Sequence, residues 1–230
     1  MSKFFRWMAP AALLLSLGAA RAGAAVITYG FEDRPATSGS LSHPGAASSF
    51  SVTVSDLTLT FTRPGSTFDI ADTTTFGVGA FPASWGQRVL DPFSGDTSNT
   101  PFVVSFSAPA TATAFSVGFG DFAGDADTFT LQAYSGVNGT GTLLATATNM
   151  VYGTSSLPVV GSVSLTASGI RSIVMIGGSA AFPNSVYYDN LSVTTADVAA
   201  VPEPSTLAGA SVAALLVLGR FWSRRNRPAC

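Results

Sequence analysis

Leu57-Thr58-Leu59-Thr60-Phe61 alternates apolar and polar residues without a break, and Ser51-Val52-Thr53-Val54, just before it, does the same. Side chains along a strand point to opposite faces in turn, so strict alternation marks a strand with one face buried and the other in water. Phe102, Val104 and Phe106 repeat the pattern, as do Phe115, Val117 and Phe119. Outward from these, the same reading predicts strands over residues 26–31, 50–62, 102–107, 114–119, 128–134, 142–148, 162–166, 172–176 and 186–195. Turn-forming pairs separate them: Pro64-Gly65, Ser94-Gly95, Asn138-Gly139 and Ser168-Gly169. Nine or so strands, rich in Thr, Val, Ser and Phe and without a helical crossover, predict an all-β fold, an antiparallel β-sandwich.

The composition excludes several other classes. The chain has 230 residues, 47% hydrophobic and 10% charged, too apolar for a disordered protein and long enough for one domain with a real core. One Cys excludes an internal disulfide and a structural zinc site built from cysteines. One His, His43, excludes paired-His metal centres and speaks against a His-based triad. The formal net charge of −2 hides an asymmetry. Lys3, Arg6 and Arg21 lie at one end, and Arg220, Arg224, Arg225 and Arg227 at the other; in the body between, residues 25–198, four arginines face twelve carboxylates, all but Glu203, a net of −8. An acidic body repels phosphate backbones, so nucleic acid is not an expected partner.

The basic ends read as signals. Lys3 and Arg6 lead a short apolar run over residues 9–20, and Ala20-Arg21-Ala22 and Ala22-Gly23-Ala24 offer two cleavage sites. This predicts an export signal over residues 1–24 and passage through the Sec machinery. At the other end, Pro202-Glu203-Pro204 precedes an apolar run at 206–219 and then the arginines. Fourteen residues make roughly 21 Å of helix, short of the roughly 30 Å hydrocarbon core. If Phe221 and Trp222 join and Arg220 snorkels, the span becomes about 206–222. The arginines are then expected to stay cytoplasmic, with the body, residues 25–198, outside.

This ending, residues 199–230, resembles the PEP-CTERM sorting signal of exopolysaccharide-producing Gram-negative bacteria. The resemblance is carried by Pro202, Glu203 and Pro204, the hydrophobic run, and the cluster Arg224, Arg225 and Arg227, in that order. It implies recognition by an exosortase and removal of the tail. It also implies transient anchoring in the inner membrane, then delivery to the cell surface or extracellular matrix. A plain tail anchor would have the same orientation and would keep the tail. Cys230, beyond the arginines, reads as incidental.

Within the body, Phe119-Gly120-Asp121-Phe122, residues 128–134 and Tyr187-Tyr188-Asp189-Asn190-Leu191-Ser192-Val193 resemble the jelly-roll domains that recur in PEP-CTERM proteins and are similar to carbohydrate-binding modules. Gly30-Phe31-Glu32-Asp33 fits the opening of such a domain. Asp189 has the strand parity of Tyr187, Leu191 and Val193, which predicts the core side. A carboxylate there must be paired, protonated or metal-bound. First and last strands of a jelly roll lie close, which would bring Glu32 or Asp33 to Asp189. Oxygen ligands without His or Cys select Ca²⁺, and the resemblance also implies a structural calcium held by carboxylates from these two regions. The alternative is a carboxylate accepting backbone hydrogen bonds at a strand end.

Asp121, Asp125 and Asp127 form a second acidic cluster. It ranks below the first as a metal site, because turns carry Asp for their own hydrogen bonds and the spacing does not match an EF-hand loop. Residues 63–100 read as a long loop bearing Phe76, Phe81, Trp85 and Phe93. Its aromatics either pin the loop to the core, the preferred reading, or offer Phe81 and Trp85 as a sugar-stacking surface. No nucleophile elbow, P-loop or zinc-protease helix occurs, and His43 reads as a solvated loop residue. The expected function is a non-enzymatic surface or matrix protein that binds exopolysaccharide. The alternative is a secreted polysaccharide hydrolase using a carboxylate pair.

Overall fold

The computed structural model describes residues 24–36, 48–75, 81–92, 100–107, 112–121, 124–152 and 158–195. Residues 1–23, with most of the expected export signal, His43, Phe76, Phe93 and residues 196–230, which hold the expected sorting residues Pro202, Glu203, Pro204, Arg224, Arg225 and Arg227, lie outside the described residues. The described residues form β1 (Val26–Tyr29), β2 (Ser49–Val54), β3 (Leu57–Thr62), β4 (Asp69–Asp72), β5 (Arg88–Asp91) and β6 (Phe102–Phe106). These are followed by β7 (Ala112–Asp121), β8 (Ala126–Tyr134), β9 (Leu143–Tyr152), β10 (Val159–Ile170), β11 (Ser172–Ile176) and β12 (Tyr187–Thr195).

All pairings are antiparallel and build two sheets. One runs β10-β7-β12-β5-β4, with β1 also paired to β12; the other runs β2-β3-β6-β11-β8-β9. The alternation that predicted strands also sets which face is buried. Leu57, Leu59 and Phe61 of β3 are buried while Thr58, Thr60 and Thr62 are not, because period-two side chains divide between core and solvent. Phe61, Phe106 and Phe129 of one sheet and Phe115, Phe119 and Leu191 of the other join a single core, so the protein is a β-sandwich.

Two expectations are corrected here. The predicted strand over 50–62 is a hairpin: Ser55 takes a left-handed φ of 55°, and β2 folds back on β3 with Val54 opposite Leu57. The alternation changes phase at Ser55-Asp56, from apolar at 52 and 54 to apolar at 57, 59 and 61, and a reading of 50–62 as one strand passes over that slip. On the outer face the arms are tied by hydroxyl pairs, Ser51 to Thr60 at 2.9 Å and Thr53 to Thr58 at 2.8 Å. The predicted loop over 63–100 contains β4 and β5, which pair with each other; β5 continues the first sheet through β12. Each is only four residues long and reads Asp-Ile-Ala-Asp or Arg-Val-Leu-Asp, with almost every position buried. Such a short strand, covered on both faces, shows no alternation.

The crossings between sheets matter most for function. Ser168-Gly169, expected as a turn, is instead an irregularity within β10: Gly169 has φ 79° and the register shifts between Thr166 and Ile170. Arg171 then hands the chain to β11 in the opposite sheet. In the same way, residues after Asp121 carry the chain from β7 in the first sheet to β8 in the second.

Candidate functional site

Alternation along β7 turns Val117 and Phe119 into the core and gives Asp121 the same parity; along β8 it turns in Asp127, Phe129 and Leu131. Phe119 and Phe129 stack across the sandwich with centroids 4.8 Å apart. Asp121 and Asp127 therefore occupy the next inward positions beyond that stacked pair, where the chain leaves one sheet for the other. Asp125 joins them from the connection, and one carboxylate oxygen of each residue lies within 4.8 Å of the others. Asp127 is wholly buried and Asp121 nearly so, while Asp125 is half-buried.

Two oxygens of this cluster lack a hydrogen-bond partner. Asp127 Oδ1 accepts a hydrogen bond from Ser185 Oγ at 3.2 Å. Asp127 Oδ2 and Asp125 Oδ2 are buried with no hydrogen-bond partner. Burial pushes the Asp127 carboxyl up to about 7, helped by a hydrogen bond to Asp121 and by the like charges of Asp121 and Asp125; the Ser185 hydroxyl pulls the other way. Tyr188, inward from β12, crosses the core to lie 5.2 Å from the Phe129 ring. Its hydroxyl is buried without a partner, and a Cβ on Gly177 would lie 2.6 Å from it. Burial raises the Tyr188 phenol; Arg63 lowers it and the charge of Asp127 raises it further.

The second acidic centre is built differently. β1 pairs with β12, Tyr29 opposite Leu191, so the first and last strands lie side by side. Asp189 is buried, but not on the core side. It faces Gly118 across the ladder, as Tyr187 faces Gly120, whereas Val193 faces Phe115. Three steps along β12, from Asp189 to Ser192, match two along β7, from Gly118 to Ser116, and Asn190 absorbs the extra residue with φ 50°. This bulge reverses the parity: Leu191 and Val193 enter the core, while Asp189 and Tyr187 take the opposite face. The predicted parity of Asp189 with Leu191 and Val193 fails because a bulge leaves no mark in a periodic pattern.

Asp189 accepts the backbone N–H groups of Asn190 and Phe31, and its Oδ1 is buried without a hydrogen-bond partner. Burial raises its carboxyl to about 7, and Glu32 adds a like charge. Glu32 is committed elsewhere: its Oε1 accepts the N–H groups of Gln87 and Arg88, both at 2.7 Å. Asp33 turns away, accepting the Tyr29 hydroxyl at 2.9 Å with Arg34 at 3.9 Å. Of the two carboxylates expected beside Asp189, Glu32 is the one whose charge reaches it, while Asp33 is held by Tyr29. Through Oε1, Glu32 also latches the start of the chain to β5.

The loop aromatics are structural. Phe81 and Trp85 are buried and stack in parallel 4.8 Å apart, with Tyr187 edge-on to Phe81 at 5.7 Å. They lie on Gly118 and Gly120, where a Cβ would come within 3.0 Å of either ring. Both rings are thus turned inward, where their faces are taken up by packing. The exposed aromatics are others, Tyr152 and Phe182, accompanied by Met150 and Ile176. Period two marks Met150 and Tyr152 as same-face residues, yet β9 is the last strand of its sheet, and no sequence signal tells which of its faces is covered.

The described residues define an all-β chain of two antiparallel sheets with a carboxylate cluster between them. No protein-family model and no curated protein sequence matches it. Among solved structures it is similar to the K2 cleaved adhesin domain of Lys-gingipain, at 15% identity and TM-score 0.44, over 74% of this chain and 99% of that one. It is also similar to Arthrobacter globiformis T6 isomalto-dextranase complexed with panose, at 12% identity and TM-score 0.32, over 66% of this chain and 24% of the enzyme.

Proposed function

We propose that this chain is an exported surface or matrix protein, sorted through Pro202-Glu203-Pro204 by an exosortase, whose sandwich binds exopolysaccharide without hydrolysing it. The jelly-roll reading belongs to this proposal and draws support from the pairing of β1 with β12. The observation that carries the binding role is the outer face of β8, β9 and β11. Ile176, Thr130 and Thr148 form one row across it, Thr128 and Met150 the next, and Ala126 and Tyr152 the next. Phe182 sits in the segment after β11, which begins where Gly178 accepts the Thr128 N–H. The exposed Tyr152 and Phe182 rings offer flat apolar faces for the C–H faces of sugars, and the threonine hydroxyls supply donors and acceptors.

The exported protein is expected to be retained on immobilised exopolysaccharide from a PEP-CTERM-type producer. Tyr152→Ala and Phe182→Ala are expected to weaken retention about tenfold together, at roughly 1 kcal/mol or less per lost ring contact. Undiminished retention of the double variant would remove this face from the proposal, and no retention of the wild type would remove polysaccharide binding.

A hydrolase reading has one observation in its favour: Asp121 and Asp127 are a close carboxylate pair with one proton-holding member. Their burial weighs against it, since a glycosidic oxygen must touch the acid that protonates it. Turnover of a polysaccharide that is lost in Asp127→Asn would reinstate it.

A further inference from the structure

Ser105 and Ser172 are buried on the outer face of their sheet, the side a polar residue usually turns to water. Their strand neighbours Val104, Phe106 and Ile173 fill the core, so period two turns both serines outward. They stand opposite each other in the ladder between β6 and β11. What covers them is the loop between β8 and β9, residues 135–142, which folds back over β11. A Cβ on Gly139 would lie 2.8 Å from Val174 Cγ2. At the tip of the loop Asn138 and Gly139 have φ of 56° and 69°, and the Thr140 N–H donates to the Val137 carbonyl at 3.2 Å. This is the tight turn for which Asn-Gly is the preferred pair, since both central residues need a positive φ.

The same pair is among the most labile in a polypeptide, because glycine sets no side chain in the way of its own amide nitrogen. We propose that Asn138-Gly139 is a latent deamidation site held closed by Ser105 and Ser172. This inference does not rest on the exopolysaccharide reading. In the reaction the Gly139 nitrogen gives up its proton and attacks Asn138 Cγ. The N–Cγ bond forms, the Cγ–Nδ2 bond breaks, and Nδ2 leaves as ammonia. Water then opens the cyclic imide at either carbonyl, leaving aspartate or isoaspartate at position 138 with no change in oxidation state. The first step needs a free nitrogen and a carboxamide able to turn onto it, and the fold withholds both. The Gly139 N–H donates to Ser172 Oγ at 2.9 Å, and Ser172 Oγ donates in turn to the Gly136 carbonyl at 2.6 Å. Ser105 Oγ accepts the Asn138 N–H at 2.9 Å and donates to Asn138 Oδ1 at 3.1 Å. Each hydroxyl thus spends its proton and a lone pair on the loop. Swinging the carboxamide onto the nitrogen would strand both buried hydroxyls, which is costly. Asn138 itself is exposed, so water for the second step is at hand and the serines act on the first.

Conversion would undo the loop. Isoaspartate routes the backbone through Cγ and lengthens the turn, and either product sets a negative charge over two buried hydroxyls. The test follows residue 138 by peptide mass mapping while the full-length chain, in detergent micelles, is incubated at mildly alkaline pH. A synthetic peptide of residues 132–145 is incubated beside it. The native chain is expected to convert at least about tenfold more slowly than the peptide, since the loop must first open. Ser172→Ala and Ser105→Ala are each expected to speed conversion about fivefold, with melting temperatures read alongside to show that the fold persists. One reading needs no variant: in the wild type the Gly139 amide is expected to exchange its hydrogen far more slowly than an open loop would. A native chain that converts as fast as the peptide overturns the proposal. So do folded serine variants that convert no faster than the wild type, or a Gly139 amide that exchanges like that of an unstructured chain.

Discussion

The Asp189 carboxylate lies directly over Gly30: a Cβ on that glycine would stand 3.1 Å from Asp189 Oδ1. Any other residue at position 30 would press on a buried oxygen, so the glycine lets the first strand close against the last. The consequence is a carboxyl group that keeps its proton to about pH 7 in the folded protein, against 3.8 for the free side chain.

That difference makes stability pH-dependent with a definite sign. The folded state holds the proton over a range in which the unfolded chain has released it, so the stabilising contribution is complete below about pH 4. It is lost progressively, at up to about 1.4 kcal/mol per pH unit, until about pH 7. Asp189→Asn removes this dependence. In EGTA, urea unfolding is expected to show the variant gaining on the wild type from pH 4 to pH 7, with no further gain above. A constant difference across that range would mean that Asp189 is ionised in the folded protein.

The Glu32 latch predicts a contrast between two glycines that share a positive φ. Gly86 has φ 61° and a Cβ there would collide with Glu32 Oε1; Gly65 has φ 74° and open space around it. Gly65→Ala is expected to cost about 1 kcal/mol, the backbone strain alone. Gly86→Ala is expected to cost about 1–3 kcal/mol more, because its ψ of −144° lies where glycine alone is at ease and because a Cβ dislodges the acceptor of the Gln87 and Arg88 N–H groups. Denaturant midpoints of the two variants measure the difference, and equal midpoints would show that Glu32 does not hold this corner.

The stacked pair over Gly118 and Gly120 predicts a stability effect where a binding effect would be expected of surface aromatics. Trp85→Ala is expected to cost about 3–5 kcal/mol, as for other buried aromatics, while Tyr152→Ala stays within about 0.5 kcal/mol. Unfolding by urea separates the two outcomes, and a Trp85→Ala protein as stable as the wild type would put the ring at the surface.

What the sequence reveals depends on whether a feature is periodic. The strands that alternate cleanly, such as Leu57–Thr62 and Phe102–Phe106, are legible because one face is wet or the apolar positions recur every second residue. Asp69–Asp72 and Arg88–Asp91 are not legible, since four residues covered on both faces read like part of a Gly-rich and Asp-rich loop. Asp121 and Asp127 look like turn residues six positions apart, and only the crossing between sheets makes them inward-facing neighbours. The importance of Asp189 is visible as an acid in an apolar strand, but the bulge at Asn190 sends it to the other face of the sheet.

Arg63 carries the last prediction. It follows β3, is wholly buried, and donates from Nη1 to the carbonyls of Thr67, at 2.7 Å, and Pro92, and from Nε to that of Thr100 at 3.3 Å. Three chain segments, two of them flanking the β4–β5 ladder, thus end on one guanidinium, which also lowers the Tyr188 phenol. A planar fork with five donors can reach several carbonyls at once; a lysine ammonium on a flexible stem presents three donors at one point. Arg63→Lys is therefore expected to recover little. Both Arg63→Lys and Arg63→Leu are expected to destabilise the fold by about 3 kcal/mol or more, since buried carbonyls lose charged donors. The losses should appear first as faster hydrogen exchange around residues 66–72 and 88–92, the segments the guanidinium ties down. Full protection there in Arg63→Leu would show that β4 and β5 are held by their mutual pairing alone.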